Sequence, residues 1–195
     1  SLDCAVALQE LERLGVDNIF TFDAHDPRVQ NAIPLTGFNN LYPTYQIIKA
    51  ILKNEKDLVI NKSKMVVVSP DEGAIGRSIY YASILGLNVN LFYKQRDYST
   101  VVNGKNPIVQ HEFLGDDIAG MDVLIIDDLI ASGESILDIA RELKRRKANR
   151  IYIAVSFALF TVGLDKYNRA FEEGIITRVY DTNLTYRTPE LMKAP

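Results

Sequence analysis

Short apolar runs alternate with helix-like segments along most of this 195-residue chain. Runs of about four to eight apolar or β-branched residues are typical of buried strands, whereas apolar residues about three or four apart are typical of one face of a helix. Strands are predicted at residues 18–23, 65–69, 89–93, 108–113, 122–127, 150–157 and 176–180, and helices at residues 2–14, 42–52, 76–85, 135–146 and 165–173. Strands that are joined through helices favour an α/β fold with a mostly parallel, doubly wound sheet.

The composition limits the classes of function. Hydrophobic residues make up 47% of the chain and charged residues 24%, which is typical of a globular protein. The formal net charge of -3 gives no general attraction to nucleic acid or to an anionic membrane. No run approaches the roughly 20 apolar residues that a membrane span needs, and the single cysteine, Cys4, excludes an internal disulfide. We therefore expect a cytoplasmic protein that binds neither nucleic acid nor membrane.

The strongest motif is the segment 123–135, which reads Val-Leu-Ile-Ile-Asp-Asp-Leu-Ile-Ala-Ser-Gly-Glu-Ser. Backbone N–H groups at the start of the following helix, together with the hydroxyls of Ser132 and Ser135, can hold a phosphate. The acidic pair, Asp127 and Asp128, can accept hydrogen bonds from two vicinal ribose hydroxyls. An acidic pair alone is often a simple helix cap, but the complete pattern favours a ribose-phosphate site.

A second strand, turn and helix occurs at residues 66–77. The backbone N–H groups of its turn can cradle a pyrophosphate, while Asp71 can reach a divalent cation and Arg77 adds positive charge. A turn of this composition is also common as a plain strand-to-helix connection, so that alternative stays open for the segment alone.

Two shorter segments carry further candidate residues. His25 lies between two acids at a predicted strand end and can bind a metal that nucleotide phosphates also hold, although a surface histidine in a turn is the alternative. Lys94 and Arg96 end another predicted strand, and two such cations can stabilise a phosphoryl group as negative charge develops on it. The alternative for this pair is a solvated edge strand whose cations prevent aggregation.

Taken in chain order, the four segments resemble those of the ribose-phosphate diphosphokinases, also called phosphoribosyl pyrophosphate synthetases. The resemblance implies a type I phosphoribosyltransferase-like fold. It implies an enzyme that transfers diphosphate from ATP to ribose 5-phosphate with Mg²⁺, giving phosphoribosyl pyrophosphate and AMP for nucleotide biosynthesis. It also implies a homo-oligomer, dimer or hexamer, because the family completes its ATP site with a neighbouring subunit.

The resemblance also implies a role for each candidate residue. Lys94 and Arg96 would be catalytic, and His25 and Asp71 would bind the metal. The pyrophosphate loop would comprise Asp71, Glu72, Gly73, Ala74 and Arg77, and the ribose 5-phosphate site would comprise Asp127, Asp128, Ala131, Ser132, Gly133, Glu134 and Ser135. Glu134 stands where the family has glycine, and a carboxylate this close to a phosphate weakens binding unless it points away or pairs with a cation.

The family has two phosphoribosyltransferase-like domains, so the resemblance further implies a domain division. Residues 1–38 would be the last helix and strand of a largely missing N-terminal domain, and residues 39–195 would be the C-terminal domain. We expect the 195-residue chain alone to be inactive, because the adenine-binding part of the family lies in the first domain. A phosphoribosyltransferase acting on phosphoribosyl pyrophosphate and a nucleobase, or a non-catalytic paralogue of the synthetase, are the competing hypotheses.

Overall fold

A computed structural model describes residues 2–96, 108–189 and 191–193. The chain forms two compact units, Ser1–Gln46 and Ile47–Pro195. Within the described ranges, each helix is too short or too polar to span a lipid bilayer. The predicted domain division at residue 38 stays a prediction.

The first unit contains one helix and two short parallel strands. Its elements are α1 (Leu2–Arg13), β1 (Asn18–Phe22), a 3-10 turn (Pro27–Ala32) and β2 (Gly37–Leu41). Strand β2 is not predicted from the sequence, because Gly-Phe-Asn-Asn-Leu has few of the β-branched and aromatic residues that are enriched in strands. Its extended conformation depends on pairing with β1, where Phe20 lies opposite Asn39.

The second unit is built on a six-stranded sheet. The remaining elements are α2 (Thr44–Asn54, which begins in the last residues of the first unit), β3 (Met65–Ser69), α3 (Ile75–Leu85), β4 (Val89–Arg96), β5 (Ile108–Leu114), β6 (Asp122–Ile130), α4 (Glu134–Arg145), β7 (Ile151–Ala158), α5 (Asp165–Glu172), β8 (Arg178–Tyr180) and a 3-10 turn (Leu191–Lys193). The strand order is β5-β4-β3-β6-β7-β8, and every neighbouring pair is parallel except β4 with β5. The predicted α/β class with a mostly parallel sheet is confirmed.

The central strands are apolar on both faces because helices cover both faces of the sheet. Successive strand residues point to opposite sides. In β6, Val123 and Ile125 join the core cluster that contains the buried residues of α4 and α5. Leu124 and Ile126 join the other cluster, which contains residues of α2 and α3.

The predicted elements of the described chain are confirmed with small shifts of their boundaries. The largest shifts are three residues, at the ends of β4 (residue 93 to 96) and β6 (residue 127 to 130). Strand β6 is longer because Leu129 and Ile130 still pair with Phe157 and Ala158 of β7. The acidic pair therefore lies within β6, whereas the sequence analysis placed it at the end of the strand.

Candidate functional site

The turns that follow β3 and β6 lie at one edge of the sheet, because these neighbouring strands are parallel. Both turns contribute to a cavity of about 200 Å³. Its walls are formed by Pro70, Asp127, Leu129, Ile130, Ala131, Ser132, Gly133, Ser135 and Ile136. The structure thus brings together five of the seven residues predicted for ribose 5-phosphate, whereas Asp128 and Glu134 do not line this cavity.

The 131–135 turn is held by two backbone hydrogen bonds. The Ala131 carbonyl accepts a hydrogen bond from the Thr161 N–H at 3.0 Å, and the Gly133 carbonyl accepts one from the Leu137 N–H at 3.1 Å. Gly133 has a φ of 77° and forms the N-cap of α4. The first N–H groups of a helix have no acceptor within the helix, so they are available to an anion bound at this turn.

Tyr167 of α5 packs directly against Gly133. A Cβ atom on residue 133 would lie 1.9 Å from the Tyr167 hydroxyl oxygen, so only glycine fits. Tyr167 is buried, and its hydroxyl has no hydrogen-bond partner among the described residues. Burial also raises the pKa of Tyr167. The ring meets Phe160 edge-on, with the ring centroids 5.0 Å apart, so Tyr167 has little freedom to move away from the turn.

Glu134 forms an ion pair with Lys166 of α5. The hydrogen bond from Lys166 lowers the pKa of the Glu134 carboxyl below its ordinary value. Glu134 is therefore compatible with a phosphate at this turn, because its carboxylate pairs with a cation and does not line the cavity.

Arg77 lies against the acidic pair. Its Nη1 is 4.0 Å from Asp127 Oδ1, and its Nη2 is 3.5 Å from Asp128 Oδ2. All three side chains are mostly buried, with exposed fractions of 8% for Arg77, 22% for Asp127 and 11% for Asp128. Arg77 is predicted from the sequence to bind a pyrophosphate, and in the structure it is also a counter-charge to the two buried carboxylates.

One guanidinium does not neutralise two buried carboxylates. Burial raises the pKa of Asp127 to about 7, and the neighbouring carboxyls of Asp128 and Asp71 contribute to the increase. The Asp128 N–H donates a hydrogen bond to Asp127 Oδ1 at 2.9 Å. The Asp127 carboxyl therefore keeps its proton to a higher pH than an exposed aspartate does.

The Asp127→Asn variant is expected to be more stable than the wild type at pH 8 by on the order of 2 kcal/mol, and equally stable at pH 4. The folded pKa of about 7 is above the ordinary value of 3.8, so only the folded protein holds this proton between those values. The stability that the proton confers is lost progressively as the pH rises from about 4 to about 7, and asparagine does not lose it. Urea denaturation at pH 4, 6 and 8 measures the difference, and a difference that does not change with pH would contradict this charge assignment.

The 70–74 turn places Asp71 at the start of α3. Asp71 Oδ1 accepts a hydrogen bond from the Ala74 N–H at 3.1 Å, and the Ser69 hydroxyl donates to the Asp71 carbonyl at 2.8 Å. The turn therefore does serve as a strand-to-helix connection, which was the alternative to a pyrophosphate site. Asp71 also lies close enough to Asp127 to raise its pKa, so it adds negative charge to the same edge of the sheet.

His25 lies in the loop after β1 in the first unit. The loop is fixed by a hydrogen bond from the Ala24 N–H to the Asn40 side chain at 2.9 Å. Asp26 is bound by Arg28, which lowers the pKa of the Asp26 carboxyl to about 2. Among the residues that the structure describes, no group of three or more His, Cys, Asp or Glu side chains could hold a metal ion. A metal pair of His25 and Asp71, which belong to different units, stays a prediction.

Lys94 and Arg96 lie in the last part of β4. Their backbones pair with His111 and Ile108 of β5, and the register shifts between Gln95 and Arg96. The side chains of Lys94 and Arg96 lie outside the part of the chain that is described, as do residues 97–107 entirely. Their catalytic assignment stays a prediction.

Comparison with known proteins identifies the family. Residues 38–176 match the phosphoribosyl transferase domain, which is more than half of the chain. The chain belongs to this family. The candidate site of this family member is the cavity beside the turn after β6, because it is lined by residues that were also predicted from the sequence.

Curated relatives of this chain are named ribose-phosphate pyrophosphokinase. The protein of Pyrococcus abyssi is 28% identical over 180 residues, which cover 92% of this chain and 58% of that protein. The protein of Mycoplasmopsis pulmonis is 31% identical over 176 residues, which cover 88% of this chain and 50% of that protein. The resemblance inferred from the motifs is confirmed, and the chain spans between half and three fifths of the length of these two relatives.

Among solved structures, the phosphoribosylpyrophosphate synthetase of Mycobacterium smegmatis has a similar fold. Its TM-score is 0.78 at 21% sequence identity, and the alignment covers 100% of this chain and 58% of that one. At this identity the similarity concerns the fold alone, and it confirms the predicted phosphoribosyltransferase-like architecture.

Proposed function

We propose that this chain is part of a ribose-phosphate pyrophosphokinase, which transfers the diphosphoryl group of ATP to the 1-hydroxyl of ribose 5-phosphate and releases AMP. The observation that carries the proposal is the cavity at the end of β6, whose wall combines the 131–135 turn with Asp127. Further support comes from the curated relatives, which are named for this activity. These relatives do not favour the alternative of a phosphoribosyltransferase acting on nucleobases.

In this proposal, the 131–135 turn binds the 5-phosphate of the sugar. The first N–H groups of α4 and the hydroxyls of Ser132 and Ser135 donate hydrogen bonds to it. Asp127 accepts a hydrogen bond from a ribose hydroxyl and so fixes the direction of the 1-hydroxyl. Phosphoryl transfer requires positioning and charge neutralisation more than a protein nucleophile, and these groups supply the positioning. Lys94 and Arg96 would stabilise the negative charge of the transferring group.

Magnesium is the proposed cofactor. Proteins bind Mg²⁺ through one or two carboxylates together with substrate phosphates and water, and a larger protein cage is not needed. Asp71 offers such a carboxylate beside the acidic pair, and His25 is the second candidate ligand. When bound, the ion would neutralise charge on the ATP phosphates. We also propose that the protein is cytoplasmic and binds ATP. Its proposed oligomeric state is a homo-oligomer, either a dimer or a hexamer.

Phosphorus NMR of the complete gene product, mixed with ATP, ribose 5-phosphate and Mg²⁺, tests this function. We expect AMP and phosphoribosyl pyrophosphate to form in equal amounts, and neither to form when ribose 5-phosphate is omitted. Consumption of phosphoribosyl pyrophosphate that depends on a nucleobase, without AMP formation from ATP, would identify a phosphoribosyltransferase instead. Binding of ribose 5-phosphate without turnover of either kind would identify a non-catalytic paralogue.

A further inference from the structure

Two successive residues of α5 contact two successive residues of the 131–135 turn. Tyr167 packs against Gly133, and Lys166 pairs with Glu134. Strands β6 and β7 are neighbours, and α5 follows β7, which brings the first turn of α5 beside the turn that follows β6. The first turn of α5 thus packs against the 131–135 turn.

Glu134 competes with a bound phosphate for the same end of α4. Glu134 is the first residue of that helix, and the N-terminal end of a helix stabilises both carboxylates and phosphates. A carboxylate and a phosphate dianion at neighbouring positions also repel each other, in proportion to the product of their charges. A turn with Glu134 therefore needs a means of keeping this carboxylate and its charge away from the ligand.

We propose that Lys166 is a positioning residue of the phosphate site, which holds the Glu134 carboxylate outside the cavity and cancels its charge so that the turn accepts a sugar phosphate. The inference rests on the proposed function of this turn in binding ribose 5-phosphate. The residues on either side of Glu134, which are Gly133 and Ser135, both line the cavity, and Glu134 does not. The direction of its side chain toward α5 is what separates it from its two neighbours.

Lys166 has to cancel the charge of Glu134, because Glu134 is not protonated at neutral pH and its carboxylate therefore repels a bound phosphate. The pKa of Glu134 is below its ordinary value, so the carboxylate is ionised throughout the neutral range. Lys166 can hold it because α5 is anchored to the core by the buried residues Tyr167 and Ala170. Lys166 itself is not part of the cavity wall, so its effect on the ligand passes through Glu134.

Calorimetric titration of the 195-residue chain with ribose 5-phosphate at low salt tests the proposal. Lys166→Met keeps most of the length of the side chain and removes its charge, and we expect it to weaken binding roughly three- to tenfold. Adding Glu134→Gln to Lys166→Met is expected to restore the dissociation constant to within about twofold of the wild type. Lys53→Met is the matched control, because Lys53 is an exposed cation in α2, on the other face of the sheet from α4. Its affinity should equal that of the wild type.

Two results would overturn the proposal. One is wild-type affinity in Lys166→Met. The other is a double variant that binds as weakly as Lys166→Met, which would mean that Lys166 contacts the phosphate directly or only supports the fold. If the wild-type chain itself did not bind ribose 5-phosphate, the proposed function of the turn would fail, and this outcome is distinct from a failure of Lys166.

Discussion

Arg77→Met is expected to lower the free energy of unfolding by about 3 kcal/mol at pH 8, as measured by urea denaturation. The guanidinium is buried with Asp127 and Asp128, and methionine fills much of its space without its charge. Two buried carboxylates then lose this cation, which costs far more than the loss of an exposed ion pair. At pH 5 we expect a smaller loss, because Asp127 with a pKa of about 7 is already protonated there.

Arg141→Met is the matched control for Arg77→Met. Arg141 pairs with Asp138 at 2.8 Å on the surface of α4, and both side chains are well exposed. Exposed pairs of this kind contribute about 0.5 kcal/mol or less, at any pH at which both groups are charged. Equal losses for the two arginine variants would contradict the account of Arg77 as the counter-charge of the acidic pair.

Gly133→Ala is expected to weaken the binding of ribose 5-phosphate about 100-fold, or roughly 3 kcal/mol. Residue 133 has a positive φ of 77°, and a Cβ there would lie 1.9 Å from the oxygen and 2.6 Å from the Cζ of buried Tyr167. Neither atom belongs to a flexible side chain, so the 131–135 turn has to move. Because that turn supplies the proposed phosphate donors, its displacement removes several hydrogen bonds at once.

Gly163→Ala separates backbone strain from the collision at residue 133. Gly163 has a similar φ of 81°, but a Cβ there would meet nothing within 4 Å. We expect this variant to cost about 1 kcal/mol of stability, the usual penalty for alanine in a left-handed conformation, and to leave ribose 5-phosphate binding unchanged. Similar affinities for the two alanine variants would show that contact with Tyr167 does not position the turn.

The fold was predictable because the strongest signals are local. Alternate residues of β3, β6 and β7 face two helical layers, so these strands are apolar throughout and easily recognised. Strand β2 was not predictable, because Gly-Phe-Asn-Asn-Leu becomes a strand only through its partner β1. The end of β6 was misplaced for the same reason, since pairing with β7 extends it through Ile130.

The candidate site was predictable where one segment supplies all of the residues. The 131–135 turn and Asp127 are adjacent in sequence, and they line one cavity. The contacts of Lys166 and Tyr167 with this turn were not predictable, because they depend on the order of β6 and β7 in the sheet and on the position of α5. The pairing of Arg77 with the acidic pair likewise joins residues from two different strand-to-helix units.

In the proposed function, the 131–135 turn binds the phosphate of ribose 5-phosphate. A titration of the isotope-labelled chain with ribose 5-phosphate, followed by amide NMR, tests this binding most directly. We predict saturable shifts that are largest for the amides of Ser132, Gly133 and Ser135, and no such shifts with ribose, which lacks the phosphate. Amides of the turn that do not respond to millimolar ribose 5-phosphate, or that respond equally to ribose, would contradict the claim.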